Sequence, residues 1–232
     1  WIVSPLALRS DLELLLEPGV LLLAKRGEFQ GGGDSLLSAN NAENLIIRGY
    51  GATLRMWKKG YQNPPYTKAE WRMGVAFYGC QKILVEGLRV ESSGGDGIYI
   101  GSSAKNRWCE EVVIRNCVCH DNFRQGISVI SAVNLLVEDC VFSGTQGTPP
   151  AAGIDLEPDT PDERLVHCVF RNCRVEDNHG NGMLVYLKPL TRESEPVSIR
   201  FENCVARMGR AGAAPSELAH LDQEGVSGIA VG

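Results

Sequence analysis

Asp155 and Glu157 stand two residues apart in Gly153-Ile154-Asp155-Leu156-Glu157-Pro158-Asp159, and two carboxylates at that spacing are the part of the sequence best placed to do chemistry. Ile154 and Leu156 alternate with them, so the stretch reads as a short strand with one apolar and one acidic face. On a single strand the two Cα atoms lie ~6.6 Å apart. Side chains extending from there reach either the ~5 Å carboxyl separation of a retaining glycosidase or the ~7–9 Å of an inverting one. Close carboxylates raise each other's proton affinity, which lets one act as an acid while the other stays charged. Two blander uses of the same residues are a solvated outer face and, with Asp159 added, a calcium site of oxygen ligands.

A strand this short needs neighbours to hold it, and the sequence supplies them as a ladder. Gly74-Val75-Ala76-Phe77-Tyr78, Gly97-Ile98-Tyr99-Ile100-Gly101, Gly126-Ile127-Ser128-Val129-Ile130, Gly182-Met183-Leu184-Val185-Tyr186 and Gly228-Ile229-Ala230-Val231-Gly232 share the shape of the Gly153 stretch. In all of them the residue after the glycine is apolar, and so is the one two further on. The residue between varies freely. A recurring strand with an apolar inner face and a free outer face is the signature of a solenoid. Stacked in register, the outer residues form two columns: Ala76, Tyr99, Ser128, Asp155, Leu184, Ala230, and Tyr78, Gly101, Ile130, Glu157, Tyr186, Gly232.

A second ladder runs through Val113–Cys117, Leu136–Cys140, Val169–Cys173 and Ile199–Cys204, each an apolar strand followed by Asn or Asp and then Cys. Ile46–Tyr50 and Leu84–Leu88 are earlier members with Gly at the turn. Asn, Asp and Gly tolerate left-handed backbone, so each marks a sharp corner between strands. Cys117, Cys140, Cys173 and Cys204 therefore stack about one strand spacing (~4.8 Å) apart, as small apolar corner fillers rather than disulfide partners. Leu12 to Leu23 reads as two strands broken at Pro18-Gly19.

These two ladders resemble the right-handed parallel β-helix of the pectin-lyase-like superfamily, over a span from about Leu6 to the C-terminus. Within it, His120–Cys140 followed by the Gly153–Asp159 stretch is similar to bacterial β-helix proteins grouped with polysaccharide-degrading enzymes. The resemblance implies an all-β solenoid of about eight coils, a polysaccharide or oligosaccharide partner and a secreted or periplasmic location. The superfamily includes hydrolases, lyases, epimerases and non-catalytic tailspikes. The Asp-Asp, Gly-His-Gly and Arg-Ile-Lys motifs of polygalacturonases are absent, and Arg124 with Asp155 and Asp159 matches the pectate-lyase arrangement loosely.

The continuous repeat argues for one domain over residues 1–232, read as a segment of a longer chain trimmed at both ends. Two stretches break the rhythm, at about 55–73 and 207–226. The first carries Trp57, Tyr61, Tyr66 and Trp71 among cations, which suits either the face of a sugar ring or a loop core over the barrel. In the second, Pro215–Leu221 reads as a short helix with Ser216 as N-cap and His220 on the surface.

The loops leading into the ladder hold further polar groups. Asp96, Gln125 and Asn181 each come just before a ladder glycine, and with Tyr99, Ser128 and Tyr186 they make a substrate-binding wall. His120, Asp121 and Arg124 supply a base, an acid or ligand, and a cation that holds or neutralises a carboxylate. For His120, and for His179 in the matching loop, a surface turn is the rival reading, and the recurring Asp121-Asn122 and Asp177-Asn178 pairs point to turns. The catalytic set is then Asp155, Glu157, His120 and Arg124. A net charge of −5 without a basic run gives no sign of nucleic-acid binding, and no stretch is apolar for long enough to be a membrane helix. No cofactor is expected apart from the calcium alternative, and no other metal. The reading is a glycoside hydrolase working by paired carboxylates, with a uronate lyase or epimerase, or a non-catalytic glycan-binding spike, as rivals.

Overall fold

The chain winds as a parallel β-helix in which every coil hydrogen-bonds to the one before it and the one after it. The computed structural model describes residues 1–207, 218–221 and 229–231. Among these, one sheet has eight parallel strands: Leu6–Leu8, Leu37–Asn40, Val75–Tyr78, Ile98–Gly101, Ile127–Val129, Ile154–Leu156, Met183–Tyr186 and Leu218–Leu221. The other strands form a larger sheet that folds round the remaining sides of each coil. Eight rungs among the described residues match the expected solenoid of about eight coils.

Register follows from what lies inside. Ile98, Ile127, Ile154 and Met183 are aligned partners, as are Ile100, Val129, Leu156 and Val185, and all are buried. A slip of one residue would turn each of these columns out to solvent, so one face's burial fixes the whole stack. The corners are where the Asn/Asp pattern places them: Asn116, Asp139, Asn172 and Asn203 all have φ between 51° and 54°. In earlier coils Gly51 and Gly87 do the same work, and the strands Glu43–Arg55 and Gln81–Glu91 run through the bend without a break. Cys117, Cys140 and Cys173 are buried in a stack just past these corners, Cys204 is partly covered, and all four are free thiols.

At Gly74, Gly97, Gly126 and Gly153 the glycine opening the rung is required by close approach rather than by an unusual φ. A Cβ on Gly126 would lie 2.4 Å from the Gly153 carbonyl oxygen and 2.9 Å from the Phe142 Cβ. The corner therefore presses its backbone onto the inner side chains of the neighbouring sheet.

Three expectations need correction. Leu218–Leu221 is a strand, aligned with Met183–Tyr186, and not a helix; Ser216 lies outside the described residues. Its alternation was masked by a Pro-Ser start that mimics a helix cap, and pairing with a ready-made sheet edge outweighs that local signal. Ile229–Val231 consequently belongs to the larger sheet, aligned with Ile199–Phe201, so Ala230 is not in the Asp155 column; Gly228 and Gly232 lie outside the described residues. Two rungs were also overlooked, Leu6–Leu8 and Leu37–Asn40, because neither follows a glycine.

The 55–73 insertion is largely a core of its own. Tyr61 is fully buried and meets Tyr66 edge-on at 4.9 Å, while Trp57 donates its indole N–H to the Ala24 carbonyl and stacks under Arg26. Arg72, also fully buried, donates to the carbonyls of Phe29 and Thr67. Trp71 alone among these aromatics is exposed.

Replacing Gly126 by Ala should lower stability by ~1–3 kcal/mol through overpacking against fixed backbone. Gly33→Ala, where an added Cβ meets nothing within 4 Å, should be close to neutral. Urea unfolding of both variants measures the difference, and equal midpoints would contradict the close-approach account.

Candidate active site

On the outer side of the eight-stranded sheet, Tyr99, Ser128, Asp155 and Leu184 are aligned partners on successive coils. The column is as expected, but its face is not free. Ser128 and Asp155 are fully buried, covered by loops that fold back over the sheet. Gln125, also fully buried, donates its side-chain amide to Asp155 Oδ2 at 2.7 Å and accepts the Ala152 N–H at 2.8 Å. Both ends of that amide are used inside the protein, so Gln125 positions Asp155 instead of lining a substrate wall. Asp155 Oδ1 and the Ser128 hydroxyl have no hydrogen-bond partner.

Arg124 sits at the centre. Its Nη2 donates to Glu157 Oε2 at 3.2 Å, its Nη1 lies 3.7 Å from Asp96 Oδ2, and its Nε lies 3.9 Å from Glu70 Oε1. Asp96 is fully buried, with the Ser128 hydroxyl and the Gln125 backbone N–H as its polar neighbours and no well-formed hydrogen bond to either oxygen. Glu157 keeps 26% of its side chain exposed and Glu70 33%, so the cluster meets solvent through both.

One guanidinium cannot neutralise this many acids. Burial pushes the Asp96 carboxyl up to about 7, against the pull of Arg124. Asp155 is held well above the usual carboxylate range, by burial first and then by the Glu157 charge beside it, again with Arg124 opposing. Asp159 is raised for the same two reasons in the same order. For Arg124, burial alone would favour the neutral form, but Asp96, Asp155 and Glu157 outweigh it and keep the guanidinium charged. The result is a pair of buried carboxyls of raised proton affinity beside the partly exposed Glu157.

The remaining expected residues divide. Tyr99 is half-buried against the Tyr78 ring, 5.3 Å between centroids, and burial raises its phenol. Tyr186 is partly exposed at the next coil, its ring 5.8 Å from the Lys188 Nζ. Asn181 accepts the Gly153 N–H on its backbone carbonyl, a contact that holds the two coils in register. His120 and Asp121 are not brought to the cluster. His120 is on Val118–His120 in the larger sheet, its Nδ1 at 3.0 Å from the Ser143 hydroxyl. Asp121 has φ of 53° and forms a corner, accepting from Lys58 Nζ and the Ser92 hydroxyl. Asp121 is thus a turn residue and His120 the end of a strand, while His179 donates its backbone N–H to the Thr145 carbonyl. Glu70 was missed because its insertion reads as aromatic and cationic. Of the acids offered for calcium, Asp155 accepts from Gln125 and Glu157 from Arg124; among the described residues no group of three or more His, Cys, Asp or Glu side chains is placed to hold a metal.

The family model for the right handed beta helix region matches residues 66–214, well over half the chain. The chain belongs to this family of right-handed parallel β-helix proteins. It is 28% identical over 159 residues to the SPbeta prophage-derived uncharacterized protein YorA of Bacillus subtilis (strain 168), covering 64% of this chain and 27% of that one. Its identity to the uncharacterized protein YclG of the same organism is 23% over 242 residues, covering 95% and 41%. The chain thus spans between 27% and 41% of the length of these relatives. Among solved structures it is similar to the tailspike protein of E. coli bacteriophage HK620 in complex with pentasaccharide (TM-score 0.57, 16% identity, 97% of this chain and 39% of that one). Pectate lyase Pel9A gives a TM-score of 0.53 at 16% identity, over 92% and 50% of the two chains. A tailspike protein, gp49, from Acinetobacter baumannii bacteriophage Fri1, described as a capsular polysaccharide depolymerase, gives 0.51 at 14%, over 99% and 42%. At these identities the likeness is one of fold.

Between the ordinary aspartate pKa and about 7, folded Asp96 holds a proton that the unfolded chain has lost, so stability must fall as pH rises through that window. The loss should be on the order of 4 kcal/mol between pH 4 and pH 8. Asp96→Asn should flatten that part of the pH–stability curve, as read by thermal melting. A curve of unchanged slope in the variant would show that Asp96 is not the group responsible.

Proposed function

We propose that this β-helix cleaves a glycosidic bond in a polysaccharide by hydrolysis, with Glu157 and Asp155 as its paired carboxylates. The observation that carries the reading is the stacking of proton-holding Asp155 and Asp96 behind the partly exposed Glu157, all gathered on Arg124. In this scheme Glu157 meets the glycosidic oxygen and Asp155 beside it is the proton reserve. The proton passes to the leaving oxygen as the bond to the anomeric carbon breaks. Water adds to that carbon, and its proton returns to the pair. Gln125 keeps Asp155 turned towards Glu157, and Arg124 holds Glu157 in place and limits the charge that the buried acids must bear.

The fold likeness to a pentasaccharide-binding tailspike and to a polysaccharide depolymerase supports a glycan as substrate. With a polymer of that kind as substrate, the protein would act outside the cytoplasm, secreted or periplasmic. A uronate lyase or epimerase is the second reading, and the central guanidinium favours it, since Arg could neutralise a uronate carboxylate. Against it, Arg124 already has Glu157, Asp96 and Glu70 within 3.9 Å, which leaves little of its charge for a substrate acid.

Glu157→Gln and Asp155→Asn should each lower the release of reducing ends from a cleaved polysaccharide by about 100-fold or more, with circular dichroism unchanged. Full activity in both variants would discard the assignment. An ultraviolet-absorbing product from a new C=C bond would replace hydrolysis by elimination.

A further inference from the structure

Trp57, Tyr61 and Tyr66 are committed to packing, but Trp71 leaves 52% of its surface open. Its indole borders a cavity of ≈ 580 Å³ between the 55–73 insertion and the Gly147–Pro149 loop. That volume is within the ~300–1,000 Å³ of small-molecule sites and has room for at least one sugar ring. Phe123 is part of the cavity wall. It is fixed there by the loop backbone, since a Cβ on Gly147 would lie 2.3 Å from the Phe123 ring. Gln62, Lys68 and Glu70 supply polar groups around the two rings, and the Gln62 amide nitrogen is buried without a partner.

The cavity adjoins the carboxylate cluster. Glu70 lines it and also approaches Arg124, and Phe123 is the residue before Arg124. A half-open indole, a second aromatic in the same lining and hydrogen-bonding side chains around them match a pyranose ring, whose C–H face is apolar and whose edge carries hydroxyls. We propose that this cavity is a binding subsite for a pyranose unit of a polysaccharide, stacked on Trp71 and hydrogen-bonded by Gln62 and Glu70. The identification of that polymer with the one cleaved at Glu157 rests on the function proposed above; the binding itself does not.

The test is affinity electrophoresis of the chain carrying Glu157→Gln, so that nothing is cut, through gels containing xylan, polygalacturonate, alginate or a bacterial capsular polysaccharide. At least one polymer should retard the protein. Adding Trp71→Ala should weaken the apparent affinity at least tenfold, and Trp71→Phe should largely retain it, with identical circular dichroism in all three. Retardation that Trp71→Ala leaves unchanged, or no retardation in any gel, overturns the subsite. Trp71-dependent retardation by a polymer that the wild-type chain fails to cleave leaves the subsite standing and removes the hydrolase reading.

Discussion

Each coil of this protein is held by hydrogen bonds to the coils on either side, and the alignment of those bonds is the constraint on which everything else rests. Individual rungs of the eight-stranded sheet are only three or four residues long, too short to persist alone. They gain their position from the buried columns beneath them, where Ile98, Ile127, Ile154 and Met183 stack without a break. Because the inner face fixes register, the outer face inherits it. Residues some 30 positions apart in sequence, such as Ser128 and Asp155, become neighbours without any contact of their own to bring them together.

The chain uses that inheritance in two opposite ways. On the larger sheet Arg48, Glu86, Arg115, Glu138, Arg171 and Glu202 are successive aligned partners, so charge alternates from coil to coil. Arg115 bonds to Glu86 at 2.7 Å and Arg171 to Glu202 at 2.8 Å, and each acid has a cation within a coil's distance. At the candidate active site the same rule is set aside. Asp96, Asp155, Glu157 and Glu70 are arranged around Arg124, two of them fully buried. Burying acids in excess of cations opposes folding, and the surplus is accommodated by holding protons. A surface that balances its charges along one side of the helix and leaves them unbalanced in one place is the physical basis for locating function there.

Much of this was legible in the sequence because period and burial are one-dimensional signals in a solenoid. The alternation in Gly126–Ile130 and the Asn-Cys corners gave the strands, the bends and the Asp155 column. Arg124 and Asp96 were identified as loop groups bordering that column. What the sequence did not reveal was depth. Asp155 and Ser128 occupy outward positions, and only the way Gln125 and Arg124 fold back shows that outward positions can still be sealed from water. His120 and Asp121 lie close to Arg124 in sequence, yet a left-handed corner at Asp121 turns the chain between them, so His120 ends on the larger sheet while Arg124 lies in the loop entering Ile127–Val129. Leu6–Leu8 and Leu37–Asn40 escape notice for a simpler reason, the lack of the preceding glycine that marks most other rungs.

The central claim is that Asp155 and Asp96 hold protons where ordinary aspartates have lost them. Carbon-13 NMR of the aspartate carboxyls, followed through a pH titration and assigned with single Asn variants, reads this directly. The account predicts that Asp155 titrates well above the ordinary aspartate range and that Asp96 titrates with a midpoint near 7. Midpoints near 4 for both, the value of an unperturbed aspartate, would contradict it.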